Sequence, residues 1–324
     1  MIIQNLPWLE PHKALLRSAW EANRFAPALL IHEARGAGGD VLALWSAQFV
    51  LCTNRLRAPC GECVACRRVA NLQHPDLIVL QPIEESKQIR IEQVRDLSAE
   101  LALTSHQGGY KVAIVSPADV LNRAAANAFL KTLEEPTPRT LLILVVTQPS
   151  RLPATVLSRC QRMVVRAPAR EEALAWLRAL RSDADWNAAL DTLGDAPLLA
   201  AQSDPKTLIE FARETRSVLE EARRGRIDPV ATAERWARTD LALRLLCIEN
   251  WLTDRIRGHF ADANFSVEVH GAAHLQRGTQ TPTICRLFNL TDAAQELKAA
   301  LDAPINRALA LESLLRQLAA GSGS

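Results

Sequence analysis

The chain has 324 residues, of which 48% are hydrophobic and 5% aromatic, and its formal net charge is +2. This length is enough for two or three domains, and the abundance of alanine and leucine favours helices. A net charge this small argues against a protein that coats nucleic acid as a uniform polycation. No apolar run reaches membrane-spanning length, since residues 141–147 are strand-sized. The first five residues lack the pattern of a signal peptide, so we expect a cytoplasmic protein.

A glycine-rich loop follows the first apolar run, residues 28–32, and precedes a helical pattern that begins near residue 41. The glycines are Gly36, Gly38 and Gly39. Strand, glycine loop and helix are the parts of a phosphate-binding loop, whose backbone N–H groups and helix N-terminus attract phosphate. A plain connection between a strand and a helix, with glycines that ease the turn, fits the same pattern.

The residues that bind a nucleotide in such a loop are missing. A working loop has a lysine that contacts the β- and γ-phosphates, followed by a hydroxyl that binds Mg²⁺. Here Asp40 and Val41 follow Gly39. The Asp40 carboxylate would repel a polyphosphate. The sequence therefore predicts a nucleotide-binding fold that has lost its nucleotide.

Apolar segments of strand length alternate with helical patterns as far as residue 166. The predicted strands are 28–32, 77–80, 112–115, 141–147 and 163–166, and the helices between and before them are 13–22, from 41, 67–71, 91–103 and 122–134. This alternation predicts parallel βαβ units in a doubly wound α/β sheet of the kind found in P-loop NTPases.

Beyond residue 166 the patterns are helical. They cover 170–200, 206–223, 229–237, 239–260, 291–301 and 304–319, with a polar stretch at 262–283 that we predict to be a loop. We therefore expect an α/β domain at 1–166, a small all-α domain at 167–205, an all-α domain at 206–320 and a flexible tail at 321–324.

Four of the seven cysteines are clustered, at Cys52, Cys60, Cys63 and Cys66. Four thiolates complete a tetrahedral site, which makes a closed structural zinc site the favoured interpretation. An iron–sulfur cluster is a rival, although the bacterial ferredoxin spacing needs a further cysteine where Ala70 stands. Free or redox-active cysteines are another alternative. The neighbouring arginines, at positions 55, 57, 67 and 68, are either a nucleic-acid or partner patch or a solvated basic face.

The strand at 112–115 lacks the acidic residues that an ATPase requires at its end. In phosphate-loop ATPases that position carries carboxylates, which hold Mg²⁺ and orient water. Here Ser116 and Pro117 stand there, and proline can neither bind a metal nor polarise water. Together with the missing loop lysine, this second loss predicts that the fold is retained without the reaction.

Two motifs carry a family resemblance: residues 124–136, Ala-Ala-Ala-Asn-Ala-Phe-Leu-Lys-Thr-Leu-Glu-Glu-Pro, and Ser158-Arg159-Cys160. They resemble the clamp-loader branch of the AAA+ ATPases. With the clustered cysteines, the altered loop and the opening Pro7-Trp8-Leu9, the chain is similar to the delta-prime family of bacterial DNA polymerase III subunits. The resemblance is specific through residue 166, weaker in 167–205 and general in 206–324.

The resemblance implies roles for individual residues. The four clustered cysteines would bind structural Zn²⁺. Arg159, with Ser158 and Cys160, would be an arginine finger that reaches the ATP of a neighbouring subunit and offsets charge on its γ-phosphate. Without the motif, Arg159 would be interpreted as a surface or salt-bridge arginine. Thr147 falls at the place of a γ-phosphate sensor, and in Gly194-Asp195-Ala196-Pro197 it is Pro197 that replaces a second sensing arginine.

The implied function is mechanical. As a subunit of the polymerase holoenzyme in the replisome, the chain would help to load the sliding clamp on primed DNA without binding or hydrolysing ATP itself. Its implied partners are the gamma or tau ATPase subunits and the delta subunit, with the clamp and primer-template DNA met through the complex. Rival functions are an active AAA+ ATPase, which needs the missing lysine and carboxylates, and a zinc-dependent DNA-binding protein, which the small net charge opposes.

Overall fold

The computed structural model describes residues 5–83, 88–262, 281–301 and 305–319. Residues 263–280, which form most of the predicted polar loop, and the predicted tail at 321–324 lie outside the described residues. The described chain forms two compact units, Met1–Leu180 with Ala196–Leu198, and Arg181–Asp195 with Leu199–Ser324. The predicted division at residues 166 and 205 stays a prediction.

The first unit contains a five-stranded parallel sheet, as predicted. Its strands are β1 (Ala28–Glu33), β2 (Leu77–Leu80), β3 (Lys111–Val115), β4 (Thr140–Val146) and β5 (Gln161–Val165), in the order β2-β3-β4-β1-β5. Each begins within two residues of its predicted start. The largest shift is in β5, because this edge strand opens with exposed Gln161 and Arg162, whose backbone pairs although their side chains are polar.

The central strands are buried from end to end. Every residue of β3 and β4 is buried, which accounts for their continuous apolar sequences. Parallel strands end at one edge of a sheet, where ligand sites of α/β proteins are placed. In this chain Glu33, Ser116 and Thr147 stand at the ends of β1, β3 and β4.

Helices surround the sheet. They are α1 (Glu10–Glu21), α2 (Gly39–Leu51), α3 (Val64–Ala70), α4 (Ile91–Ala102), α5 (Arg123–Glu134), α6 (Ala154–Leu157) and α7 (Arg170–Leu180). Helix α5 begins where the Asn122 side chain accepts a hydrogen bond from the backbone N–H of Ala125. It ends just before Pro136, and its apolar face buries Phe129 completely. Short α6 was absent from the predicted elements, since four residues carry too little periodicity.

The second unit is helical. Its helices are α8 (Trp186–Leu193), α9 (Pro197–Gln202), which spans the boundary of the units, α10 (Pro205–Arg223), α11 (Pro229–Ala237), α12 (Leu241–Asp262), α13 (Thr281–Ala299) and α14 (Arg307–Ala319). Trp236, Leu245 and Leu311 are fully buried in its core. Helix α13 begins ten residues before its predicted start at 291 and takes in the end of the predicted loop. Pro282 stands in its first turn, where no backbone donor is needed.

None of the helices in the described parts of the chain combines the length and the apolar character needed to cross a bilayer.

Candidate functional site

The glycine loop between β1 and α2 holds a carboxyl group of this chain. Helix α2 begins at Gly39, and its N-terminal backbone N–H groups are the donors that bind phosphate in a working loop. Here the N–H groups of Gly38 and Gly39 donate to Oε2 of Glu33, over 3.1 and 2.5 Å. Glu33 is the last residue of β1, so the strand delivers its own carboxyl group to the anion-binding position.

Burial raises the pKa of Glu33 to about 7. The two backbone donors oppose that rise, while the charges of Asp40 and Asp119 add to it. A polyphosphate entering the loop would therefore compete with one carboxyl group and face two more nearby.

The glycine loop is also covered by apolar side chains. Trp8 Nε1 donates to the Ala37 carbonyl oxygen over 2.7 Å, and the N–H of Leu198 donates to the Gly36 carbonyl oxygen over 3.2 Å. Gly38 has φ +101°, and a Cβ there would lie 2.6 Å from Cδ1 of Leu6. The loop is thus enclosed by the start of the chain and by Leu198.

Asp40, which replaces the lysine or hydroxyl region of a working loop, is tied to the end of β3. The Ser116 hydroxyl donates to Asp40 Oδ1 over 2.5 Å, across 76 residues of sequence. Pro117 follows without a donor or a metal-binding group. The two places where the sequence predicted lost chemistry are therefore bonded directly to each other.

Thr147, the predicted sensor position, is held by a carboxylate that the sequence did not single out. Asp119 Oδ2 accepts hydrogen bonds from Thr147 Oγ1 at 2.9 Å, from Thr147 N at 3.2 Å and from Gln148 N at 2.9 Å. Asp119 is itself buried. The Thr147 hydroxyl proton is thus directed at a protein carboxylate.

Arg159 lies between α6 and β5 with a partly exposed side chain. Its Nη2 lies 2.6 Å from Oε1 of Glu134, the last residue of α5. Its Nη1 donates to the Thr155 carbonyl oxygen over 2.9 Å and to Ser158 Oγ over 3.4 Å. Cys160 is buried in the hydrophobic core of the first unit, and burial raises the pKa of its thiol to about 11. In this motif the partly exposed Arg159 is therefore followed directly by Cys160, which is buried in the core.

The last predicted sensor segment spans a helix boundary. Gly194 ends α8 with φ +69° in the left-handed region, and Pro197 begins α9. Proline carries no cation that could contact a phosphate, and Leu198, the next residue, is the one that reaches the glycine loop.

The four clustered cysteines meet in one place. Their sulfur atoms all lie within 4.8 Å of one another, and three separations are 3.7 Å (Cys52–Cys60), 3.9 Å (Cys52–Cys63) and 4.0 Å (Cys60–Cys66). A zinc ion with about 2.3 Å bonds to four sulfurs has tetrahedral edges of about 3.8 Å. The donor set and its spacing therefore fit Zn²⁺.

Local folding orients these sulfurs. The N–H of Cys63 donates to Cys60 Sγ and the N–H of Cys66 to Cys63 Sγ, both over 3.3 Å. Burial opposes ionisation of Cys63, but hydrogen bonds from Thr53 and Cys66 lower the pKa of its thiol to about 5. Burial raises the pKa of Cys66. Buried Gln48 donates to the Cys66 carbonyl oxygen over 2.9 Å, which fixes α3 against α2.

The sequence analysis assigned no role to three carboxyl groups that contact the predicted site residues: Glu33, Asp119 and Glu134. Glu33 carried a usable signal, because an acidic residue ends an apolar strand three positions before Gly36. The other two carried none, since their partners depend on how distant elements pack.

Comparison with known proteins supports a family assignment. A family model described as "DNA polymerase III, delta subunit" matches residues 9–169. The chain is 32% identical to the DNA polymerase III subunit delta' of Pseudomonas aeruginosa over 98% of both chains. It is 36% identical to the subunit of the same name from Escherichia coli, over 53% of this chain and 52% of that one.

Two further matches are to proteins named as other subunits. The DNA polymerase III subunit tau of Escherichia coli is 33% identical over 47% of this chain and 23% of its own. A solved DNA polymerase III gamma subunit-related protein from Thermotoga maritima covers 95% of this chain at 16% identity, with a TM-score of 0.43, which is too low to support an argument about fold. The full-length match to the Pseudomonas aeruginosa subunit is sufficient, and the chain belongs to the delta-prime family of DNA polymerase III subunits.

Proposed function

We propose that this chain is a clamp-loader subunit that neither binds nor hydrolyses ATP and that supplies Arg159 to the ATP site of a neighbouring subunit. Its work would be to complete the loader and help place the sliding clamp on primed DNA. The three-part division into an α/β domain, a lid and a collar belongs to this proposal.

The observation that carries the inert role is the position of Glu33. Its carboxyl group takes the N–H donors of Gly38 and Gly39 that a phosphate would need. Asp40 and Ser116 are bonded to each other where an ATPase would have a loop cation or hydroxyl and metal-binding carboxylates. Each lost function has thus been replaced by an internal hydrogen bond, which supports a stable, nucleotide-free loop.

Arg159 supports the second half of the proposal through its accessibility. Its guanidinium is held by Glu134, whose side chain is 50% exposed, and an exposed ion pair of this kind contributes little to folding. A neighbour's γ-phosphate could therefore take over the contact at small cost. A planar, always-charged fork suits the equatorial oxygens of a phosphoryl group in transfer.

The cysteine site contributes structure in this proposal. Cys52, Cys60, Cys63 and Cys66 would hold Zn²⁺, and with all four ligands from the protein no position is open for catalysis. The metal would supply folding energy to residues 52–66.

The partners follow from the family. Relatives named as the tau and delta' subunits of DNA polymerase III support assembly with gamma or tau ATPase subunits. The delta subunit, the sliding clamp and primer-template DNA complete the proposed set of partners.

The test is ATP hydrolysis by the reassembled loader. Arg159→Ala should lower DNA-stimulated turnover by about 10³-fold or more at the one site it serves, with assembly intact. Arg95→Ala removes an exposed arginine from α4 of the same unit and should leave turnover unchanged. Equal turnover in the wild-type loader and the loader that carries Arg159→Ala would refute the trans role.

A further inference from the structure

A cavity of about 320 Å³ lies beside α1 and the turn at residues 55–59, apart from the glycine loop. Its lining includes three arginines, Arg17, Arg55 and Arg57, together with two aromatic residues, exposed Leu56 and one acidic residue, Glu21. The whole chain has a net charge of only +2, so three cations around one cavity are a local concentration of charge.

The ion pairs found among the described residues do not include these arginines. Arg17 lies 5.0 Å from the ring centroid of Trp45, and Arg55 donates to the Val50 carbonyl oxygen over 2.9 Å. Within residues 5–83, 88–262, 281–301 and 305–319, no carboxylate lies within ion-pair distance of any of the three guanidinium groups. Unpaired guanidinium groups around a concave surface are suited to bind an anion of repeating charge.

The aromatic residue Trp20 in the cavity lining indicates what kind of anion would bind. The Arg55 guanidinium lies over the Trp20 ring, 5.6 Å from its centroid. Trp20 is supported from other sides by Phe25, Phe49 and Tyr110. A planar cation held over a rigid indole offers its outer face to a nucleobase, and such stacking is how proteins bind single strands without sequence preference.

Leu56 adds an apolar contact between the charges. It is 98% exposed and stands between Arg55 and Arg57 in the turn. An apolar side chain flanked by cations matches a nucleic-acid strand, in which bases and sugars alternate with phosphates. A polyglutamate chain would use the arginines but has no aromatic ring to stack on the Arg55–Trp20 pair.

We propose that this cavity and the turn at 55–57 bind single-stranded DNA without sequence preference, through phosphates at Arg17, Arg55 and Arg57 and a base on Arg55. The site would give the subunit a direct contact with DNA in addition to its contacts through the complex. It is independent of the role of Arg159.

The test is fluorescence anisotropy with labelled oligo(dT) and the full, zinc-loaded chain, at several salt concentrations. The wild-type chain should bind, with a logarithmic salt slope of about −2 for three phosphate contacts. Arg55→Gln with Arg57→Gln should weaken binding about ten-fold or more and reduce the slope by about 1.4. Leu56→Asp, at a position too exposed to affect folding, should also weaken binding.

The matched control removes two arginines elsewhere. Arg235→Gln with Arg238→Gln makes the same charge change at exposed positions in and just after the last turn of α11, and this variant should bind oligo(dT) like the wild type. Absence of wild-type binding at low salt, or an equal loss in both double variants, would overturn the proposal. Tighter binding of a polyglutamate peptide than of oligo(dT), lost with the same two arginines, would assign the site to a protein partner and also overturn it.

Discussion

Oε2 of Glu33 lies 2.5 Å from the backbone nitrogen of Gly39, at the N-terminus of α2. The helix N-terminus that holds phosphate in a working loop is thereby satisfied by the strand that precedes it. A carboxyl group in this place stabilises the loop without a ligand, because orphan N–H groups at a helix start need an acceptor. The loop that lacks a phosphate-binding lysine thus contains an acceptor from the chain itself.

The raised pKa of Glu33 predicts a pH-dependent stability. Its folded-state pKa is about 7 against an ordinary 4.5, so the folded chain holds a proton that the unfolded chain has released between these values. The stability contribution is full below pH 4.5 and is lost as pH rises to about 7, by about 3 kcal/mol in total.

Glu33→Gln isolates this effect, because glutamine cannot titrate and its amide oxygen can still accept from the loop. In urea unfolding at a series of pH values, wild type should lose stability relative to the variant between pH 4.5 and about 7, and the difference should be constant above that. A constant difference across the whole range would show that Glu33 titrates normally.

Because the glycine loop is closely packed, replacing Gly38 should lower the free energy of unfolding more than replacing an uncrowded glycine. Gly38→Ala places a Cβ 2.6 Å from Leu6 Cδ1 at a residue with positive φ. Gly108→Ala is the matched control, since Gly108 has φ +66° but no atom within 4 Å of the added Cβ. The control should cost about 1–2 kcal/mol from backbone strain alone. Gly38→Ala should cost at least about 1 kcal/mol more, through overpacking against buried Leu6 and through a φ of +101° that lies farther from the left-handed minimum. Equal midpoints in urea would mean that Leu6 does not restrict this position.

Metal content distinguishes the cysteine site from free thiols. The purified chain should carry about one zinc ion, measured by mass spectrometry of the metal. Cys63→Ser should lower this content sharply and loosen residues 52–66 to proteolysis, because the metal contributes folding energy. Cys285→Ser, at an exposed cysteine outside the cluster, should leave zinc unchanged. Iron in place of zinc, or full retention by Cys63→Ser, would contradict the assignment.

Comparing the stability effects of replacing Arg159 and Arg244 should distinguish a functional arginine from a structural one. Arg159→Ala should change the free energy of unfolding by less than about 1 kcal/mol, because its ion pair with Glu134 is exposed. Arg244 is buried, stacks on Phe211 and Trp236, and donates to Thr215 Oγ1 over 3.0 Å. Arg244→Ala should cost about 3 kcal/mol from the cavity and the lost hydrogen bonds. Similar losses in urea unfolding would make Arg159 a structural residue.

The sequence predicted the sheet well because its strands are short, apolar and separated by clear breaks. Residues 77–80 match β2 in full, and the parallel arrangement followed from the alternation with helices. Helix α13 was predicted ten residues short, because a polar segment with prolines and glycines precedes it and conceals its start.

The site was predictable only in part. Missing residues are visible in a sequence, so the absent lysine and carboxylates could be inferred from Asp40, Ser116 and Pro117. The hydrogen bonds that Glu33, Asp40 and Ser116 make in place of the missing groups could not be inferred in the same way. The Ser116–Asp40 bond crosses 76 positions. It depends on β1 and β3 flanking β4 in parallel, which brings their carboxyl ends to one edge of the sheet, and local patterns do not determine that order.

Calorimetry of ATP binding to the isolated, zinc-loaded chain tests the central claim most directly. Glu33 accepts the hydrogen bonds of the loop N–H groups, and the loop has no lysine. Mg²⁺–ATP should therefore produce no heat of binding at concentrations up to about 1 mM. Stoichiometric binding at micromolar ATP would contradict the account, and this subunit would then have a nucleotide site of its own.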